Sequence, residues 1–87
     1  MKSSVSVLGS TGSIGKNTLE VIQALGMRVT ALAAGKNARL MAEQARRFSP
    51  RLVAMSDEAA AREVRLALAD TDIRVLSGEE EARVYGE

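Results

Sequence analysis

Residue type and spacing point to chemistry most clearly in the segment Gly9-Ser-Thr-Gly-Ser-Ile-Gly15. Glycine recurs at every third position, and Thr11 and Ser13 add hydroxyl groups between the glycines. A short apolar run, Val5 to Leu8, precedes the segment, and a helical pattern follows it. Strand, glycine turn and helix in that order make a phosphate-binding device. Gly9 closes the strand. Gly12 lets a pyrophosphate approach the backbone, and Gly15 lets the helix pack closely on the sheet. The unpaired N–H groups at the helix start, with the partial positive charge of its dipole, then face the phosphates. The spacing is GxxGxxG rather than the commoner GxGxxG, and taken alone it also fits a plain tight turn. It is not a P-loop, which needs GxxxxGK followed by Ser or Thr. Lys16 directly follows Gly15 and reads as an exposed helix lysine.

A second group lies at the end of the second strand. A site selective for NAD usually carries Asp or Glu about 20 residues after the glycines, where it binds the ribose 2′-hydroxyl. That count from Gly15 leads to Gly35-Lys36-Asn37, and no carboxylate is there. An acid would repel a 2′-phosphate, whereas Lys36 attracts one. Asn37 adds a hydrogen bond from its side chain or its N-cap backbone, and Gly35 keeps the strand end open for the adenosine. The pattern favours NADP(H) over NAD(H). Arg39, one helical step on, is within reach of the adenine or the same phosphate, but reads rather as a surface residue.

The elements that must position these residues are legible as alternating patterns. Val5–Leu8 is a strand. Ile14, Thr18, Val21, Ile22 and Leu25 fall on one helical face, and Gly26 is the expected C-cap. Met27–Ala34 is a second strand, almost wholly apolar or small. Asn37 caps a helix whose stripe is Leu40, Met41, Ala45 and Phe48. Ser49-Pro50 ends that helix, because proline disfavours helix in the residue before it. Leu52–Met55 is a third strand, and Ser56 or Asp57 caps a helix buried through Ala60, Val64, Ala67 and Leu68. Ile73–Leu76 is a fourth strand, and Ser77–Glu81 reads as the start of another helix.

Strands alternating with helices imply parallel strands and right-handed crossovers. The fold class is therefore α/β: a Rossmann-like parallel sheet of about four strands with helices on both faces. A complete doubly wound dinucleotide domain has about six strands. The pattern accordingly reads as an incomplete domain, part of something longer.

Composition sets the outer limits. An 87-residue chain makes at most one domain. It has 46% hydrophobic and 26% charged residues but only 2% aromatic, namely Phe48 and Tyr85. The core must be aliphatic, which suits a buried parallel sheet. Twelve basic residues against 11 acidic give a net charge of +1, with no electrostatic footprint for nucleic acid. Arg46, Arg47 and Arg51 read as a solvated helix end. Without Cys or His, the segment has no thiol, disulfide or imidazole chemistry. No apolar run approaches the ~20 residues that span a membrane, and the first residues show no signal-peptide core. A cytoplasmic protein with no membrane or nucleic-acid partner is expected.

Four segments in order carry a resemblance to a known family: Gly9–Gly15; Ala33-Ala-Gly-Lys-Asn37; Phe48-Ser-Pro-Arg51 with Val53-Ala-Met-Ser-Asp-Glu58; and Val75-Leu-Ser-Gly78. The chain resembles the N-terminal, NADPH-binding part of the 1-deoxy-D-xylulose 5-phosphate reductoisomerases. The resemblance implies an NADPH-dependent oxidoreductase of isoprenoid precursor synthesis. It would rearrange and reduce 1-deoxy-D-xylulose 5-phosphate to 2-C-methyl-D-erythritol 4-phosphate, with magnesium or manganese, as a homodimer. It also implies that Thr11, Gly12, Ser13, Ile14, Gly35, Lys36 and Asn37 bind the cofactor. No catalytic or metal-binding residue of the family has a counterpart here, and Glu79-Glu80-Glu81 reads as a solvated helix start. Catalytic and C-terminal domains, with the sugar-phosphate site, are expected outside these 87 residues, which alone should not turn over substrate. Two alternatives are a free-standing nucleotide-binding or regulatory module and another NADP-dependent oxidoreductase built on the same half-domain.

Overall fold

Apolar runs of four to seven residues, each closed by a glycine, proline or capping residue, alternate with amphipathic stretches, and the chain folds accordingly. A computed structural model describes residues 3–78. Its elements are β1 (Ser4–Leu8), α1 (Ser13–Leu25), β2 (Arg28–Ala34), α2 (Ala38–Phe48), β3 (Leu52–Met55), α3 (Glu58–Ala67) and β4 (Arg74–Ser77). The expected helix after Ser77 lies mostly outside the described residues.

The four strands form one parallel sheet in the order β1-β2-β3-β4. A strand order that never reverses, combined with right-handed crossovers, sends every connecting helix to the same face. Side chains link the helices as neighbours. Arg47 on α2 donates to Gln23 on α1, and Arg46 on α2 donates to Asp70 just beyond α3. The expected four-stranded parallel α/β sheet is present. Of the two expected helical layers, the described residues supply one. A second layer needs a connection running back across β1, and none of the described connections does so.

The core lies between this layer and the sheet. Leu32 and Ala34 of β2 and Val53 and Met55 of β3 pack with Leu19, Ile22, Met41, Ala45, Val64 and Leu68 from the helices. Alternation along the strands sends Ala33 and Ala54, paired across β2 and β3, to the other face, and both are buried.

Local signals mostly act as read. Gly26 takes the left-handed conformation that ends α1, with φ of 70°. Ser49 ends α2 before Pro50. Of the two capping residues considered for α3, Asp57 does the work: its Oδ2 accepts from Ala60 N at 2.8 Å. Losing an N-cap side chain costs about 1 kcal/mol. Asp57→Ala should therefore lower the unfolding free energy by about that amount in urea denaturation, whereas exposed Ser56→Ala should stay within about 0.5 kcal/mol.

α1 is rotated from its expected phase, whereas α3 buries the expected Ala60, Val64 and Leu68 and differs at one position. The buried positions of α1 are Gly15, Leu19 and Ile22, while Ile14, Val21 and Leu25 are exposed. In α3, Ala61 rather than Ala67 faces the core. For α1 the cause is steric. A Cβ on Gly15 would lie 2.1 Å from the Gly9 carbonyl oxygen, so Gly15 is the position that must face the turn. Apolar residues on the other faces follow from that choice.

Arg46, Arg47 and Arg51, at and just beyond the end of α2, are exposed, as expected of a solvated helix end, and two of them also make side-chain contacts. Arg46 reaches Asp70 at 2.6 and 3.3 Å and also donates to the Ala67 carbonyl at 2.8 Å. The hydrogen bond from Arg46 holds the exposed Asp70 carboxyl below its ordinary range. Arg47 lies over the Phe48 ring, 5.2 Å from its centroid.

Candidate functional site

β1 and β2 run side by side to the same edge, with Leu8 paired to Ala33. There the chain leaves the sheet through Gly9, whose φ of +67° suits glycine. Ser10 N donates to Ala33 O at 3.0 Å, which ties the turn to β2, and Gly12 N donates to Gly9 O at 3.1 Å, which closes it. α1 then starts directly on the turn. A Cβ on Gly15 would also approach Ser10 Cα at 2.6 Å and the Gly9 carbonyl carbon at 2.8 Å. Only glycine lets the two backbones meet so closely, which is the role read for it in the sequence.

This helix start is left open. Gly12 is its N-cap, with φ of −79° and ψ of 172°, and no side chain caps it. No acidic residue occupies the first turn. Lys16 N is satisfied by Gly12 O at 2.9 Å. The N–H groups of Ser13, Ile14 and Gly15, which no helix can satisfy internally, have no acceptor among the described residues. Gly12, Ser13 and Ile14 are exposed and Thr11 is half-buried. Uncapped N–H groups at the positive end of a 13-residue helix suit an anion.

Gly35, Lys36 and Asn37 follow β2 at the same sheet edge. Gly35 is half-buried, and its carbonyl accepts from Asp57 N at 3.1 Å, which anchors the loop to the cap of α3. Lys36 is exposed and has no ion-pair partner among the described residues. Asn37 caps α2, its Oδ1 accepting from Leu40 N at 3.1 Å. Its side-chain oxygen is thus engaged, and Nδ2 is the donor left for a ligand. The seven residues read as a cofactor site fall into two segments at the C-terminal edge of neighbouring parallel strands. That is where open α/β sheets bind their ligands.

Sequence reasoning missed two residues here. Ser10 is fully buried beneath the turn, and Gln44 of α2, only 7% exposed, donates through Nε2 to the Ser10 carbonyl at 2.8 Å. A signal was available: Gln44 lies three residues after Met41 and four before Phe48, so a polar side chain interrupts the apolar stripe of α2. A cavity of about 640 Å³ lies at the opposite end of the sheet, lined in part by Pro50, Arg51, Ile73 and Arg74. It contains none of the seven residues. The uncapped helix and the lysine loop, rather than this cavity, mark the candidate anion site.

Residues 5–85 match the family described as 1-deoxy-D-xylulose 5-phosphate reductoisomerase. The chain belongs to the 1-deoxy-D-xylulose 5-phosphate reductoisomerase family. The reductoisomerase of Acetivibrio thermocellus is 50% identical over 80 residues, covering 92% of this chain and 21% of that protein. That of Agathobacter rectalis is 54% identical over 72 residues, covering 82% of this chain and 19% of that protein. Among solved structures, the Zymomonas mobilis reductoisomerase in complex with NADPH superposes with a TM-score of 0.86 at 30% identity, over 93% of this chain and 22% of that one. A reductoisomerase in complex with NADPH, fosmidomycin and magnesium superposes with a TM-score of 0.82 at 29% identity, over 91% of this chain and 20% of that one. The chain thus spans about a fifth of the length of the relatives it matches. No helix among the described residues is long and apolar enough to cross a membrane. None of their His, Cys, Asp or Glu side chains gather in threes that could hold a metal ion.

Proposed function

We propose that this chain is the NADPH-binding part of a 1-deoxy-D-xylulose 5-phosphate reductoisomerase. The observation that carries the proposal is the uncapped N-terminus of α1 held beside a lysine loop that lacks any carboxylate. The names of the solved relatives support it, since NADPH is bound in one of them and NADPH with magnesium in another. The residues fit the cofactor. Gly12 leaves the helix end open to the pyrophosphate, Ser13 and Ile14 offer backbone N–H groups, and Thr11 and Ser13 offer hydroxyls. Lys36 and Asn37 take the 2′-phosphate, and Gly35 leaves room for the adenosine. Exposed Ile14 supplies apolar contact beside the phosphates. When bound, the cofactor supplies a hydride, and the chain's own residues hold and orient it. The ligands of the family's divalent metal are assigned, on the family resemblance, to other parts of the protein.

The same reading assigns residues 1–87 to the N-terminal part of a Rossmann-like domain. It places the chemistry, the sugar-phosphate site and the remaining domains of a cytoplasmic homodimer outside them. The reaction is the rearrangement and reduction of 1-deoxy-D-xylulose 5-phosphate to 2-C-methyl-D-erythritol 4-phosphate in the methylerythritol phosphate route. The 87-residue chain alone should show no turnover, and metal-dependent reduction by it would contradict that division of labour.

The direct test is a fluorescence titration with NADPH and NADH. NADPH should bind more tightly. Lys36→Ala should cut that preference about tenfold, as expected for the loss of one charge-assisted hydrogen bond at an exposed site. Equal affinity for the two cofactors, unaltered by Lys36→Ala, would overturn the reading.

A further inference from the structure

We propose that Gln44 is a positioning residue for the pyrophosphate turn. It holds the Ser10 carbonyl inward so that the Thr11 N–H points outward to the ligand. The proposal rests on the dinucleotide reading of the site and adds a residue from a helix 34 positions away in sequence.

The geometry starts with one peptide unit. The Ser10 carbonyl and the Thr11 N–H belong to the same planar trans peptide and therefore point in opposite directions. Gln44 Nε2 fixes the carbonyl at 2.8 Å in the buried space between turn and α2. The N–H is thereby aimed away from α2, toward the open side of the turn where Gly12 and Ser13 are exposed. Without that bond, a flip of this peptide would replace an outward donor with an outward carbonyl oxygen, which repels phosphate.

The surroundings show that Gln44 is not there for packing. It occupies the apolar stripe of α2 between Met41 and Phe48, where a leucine would serve the core. A buried amide carries a desolvation cost unless all its polar atoms are paired. Here Gln44 Oε1 and Ser10 Oγ have no hydrogen-bond partner among the described residues. A residue that accepts such a cost and makes one bond, to the carbonyl of a ligand-binding turn, is explained by that bond. Ser10 is held on the other side by its N–H to Ala33 O at 3.0 Å, and beneath by Gly15. The turn is thus clamped by β2, α1 and α2. Because Asn37 caps the same helix, α2 links the pyrophosphate and 2′-phosphate ends of the site as one rigid piece.

The test uses the protein that carries this chain, with Gln44→Leu and Gln44→Met, which keep bulk and remove the donor. NADPH, NADH and adenosine 2′-monophosphate are titrated against each variant, and thermal unfolding is followed in parallel. NADPH and NADH share the pyrophosphate, whereas adenosine 2′-monophosphate lacks it. Both dinucleotides should lose about tenfold in affinity by equal factors, adenosine 2′-monophosphate should be unaffected, and the unfolding temperature should hold. Unchanged NADPH affinity in a folded variant, or equal loss for all three ligands, would overturn the role of Gln44. Failure of the unsubstituted protein to bind NADPH would instead overturn the dinucleotide reading beneath it.

Discussion

Gly15→Ala is expected to destabilise the fold by about 1–3 kcal/mol, the usual range for overpacking a site that is already closely packed. Alanine at a helix interior normally gains about 1 kcal/mol over glycine, so the predicted sign opposes helix propensity. The new Cβ would sit 2.1 Å from Gly9 O, 2.6 Å from Ser10 Cα and 2.8 Å from the Gly9 carbonyl carbon. All three are backbone atoms, and none can swing aside as the end of a side chain could. α1 must lift from the turn, which separates Leu19 and Ile22 from the core they share with Val7 and Leu32. Small domains hold only about 5–15 kcal/mol in total, so the loss should be plain in urea denaturation. A variant as stable as the parent would mean that α1 does not depend on this contact.

Gly12→Ala should have the opposite profile, with a normal fold and a poor site. A Cβ there would meet nothing nearer than Gly9 O at 3.5 Å, an ordinary contact, and φ of −79° suits any residue. Because glycine is a better N-cap than alanine, stability should fall by up to about 1 kcal/mol. The methyl group would nevertheless stand on the open side of the turn, where a pyrophosphate must touch backbone. Holding the phosphates away from two or more N–H groups, each charge-assisted bond being worth about 1.5–3 kcal/mol, should cut NADPH affinity about a hundredfold or more. The readouts are the dissociation constant and the unfolding midpoint of the same preparation. Undiminished affinity would place the phosphates elsewhere. Together the two substitutions separate the glycine that builds the turn from the glycine that exposes it.

Much of this site was legible because its signals are local. Gly9 and Gly26 lie where the chain needs a left-handed residue. Asn37 has the side chain that a helix start requires, and Pro50 cannot follow a helical residue comfortably. Each effect acts within a few positions, so residue type alone announces it. The two site segments could likewise be placed at one edge, since parallel strands joined by helices bring the ends of β1 and β2 together.

The remainder was hidden because it depends on contacts between distant parts of the chain. The helical face of α1 was read from its apolar residues, yet Gly15, which has no side chain to register in such a pattern, sets the rotation. Ala67 and Ala61 are equivalent to any hydropathy count, and only packing against β3 and β4 chooses between them.

The sequence by itself determined the alternation of strands and helices, the glycine turn, and the absence of an acid after β2, because these are matters of residue type and order. Tertiary structure decided that the three described helices share one face, that Ser10 is sealed beneath the turn, and that Gln44 reaches it from α2. The physical reason is that burial and hydrogen bonding over 34 positions exist only once the sheet has brought the two segments together.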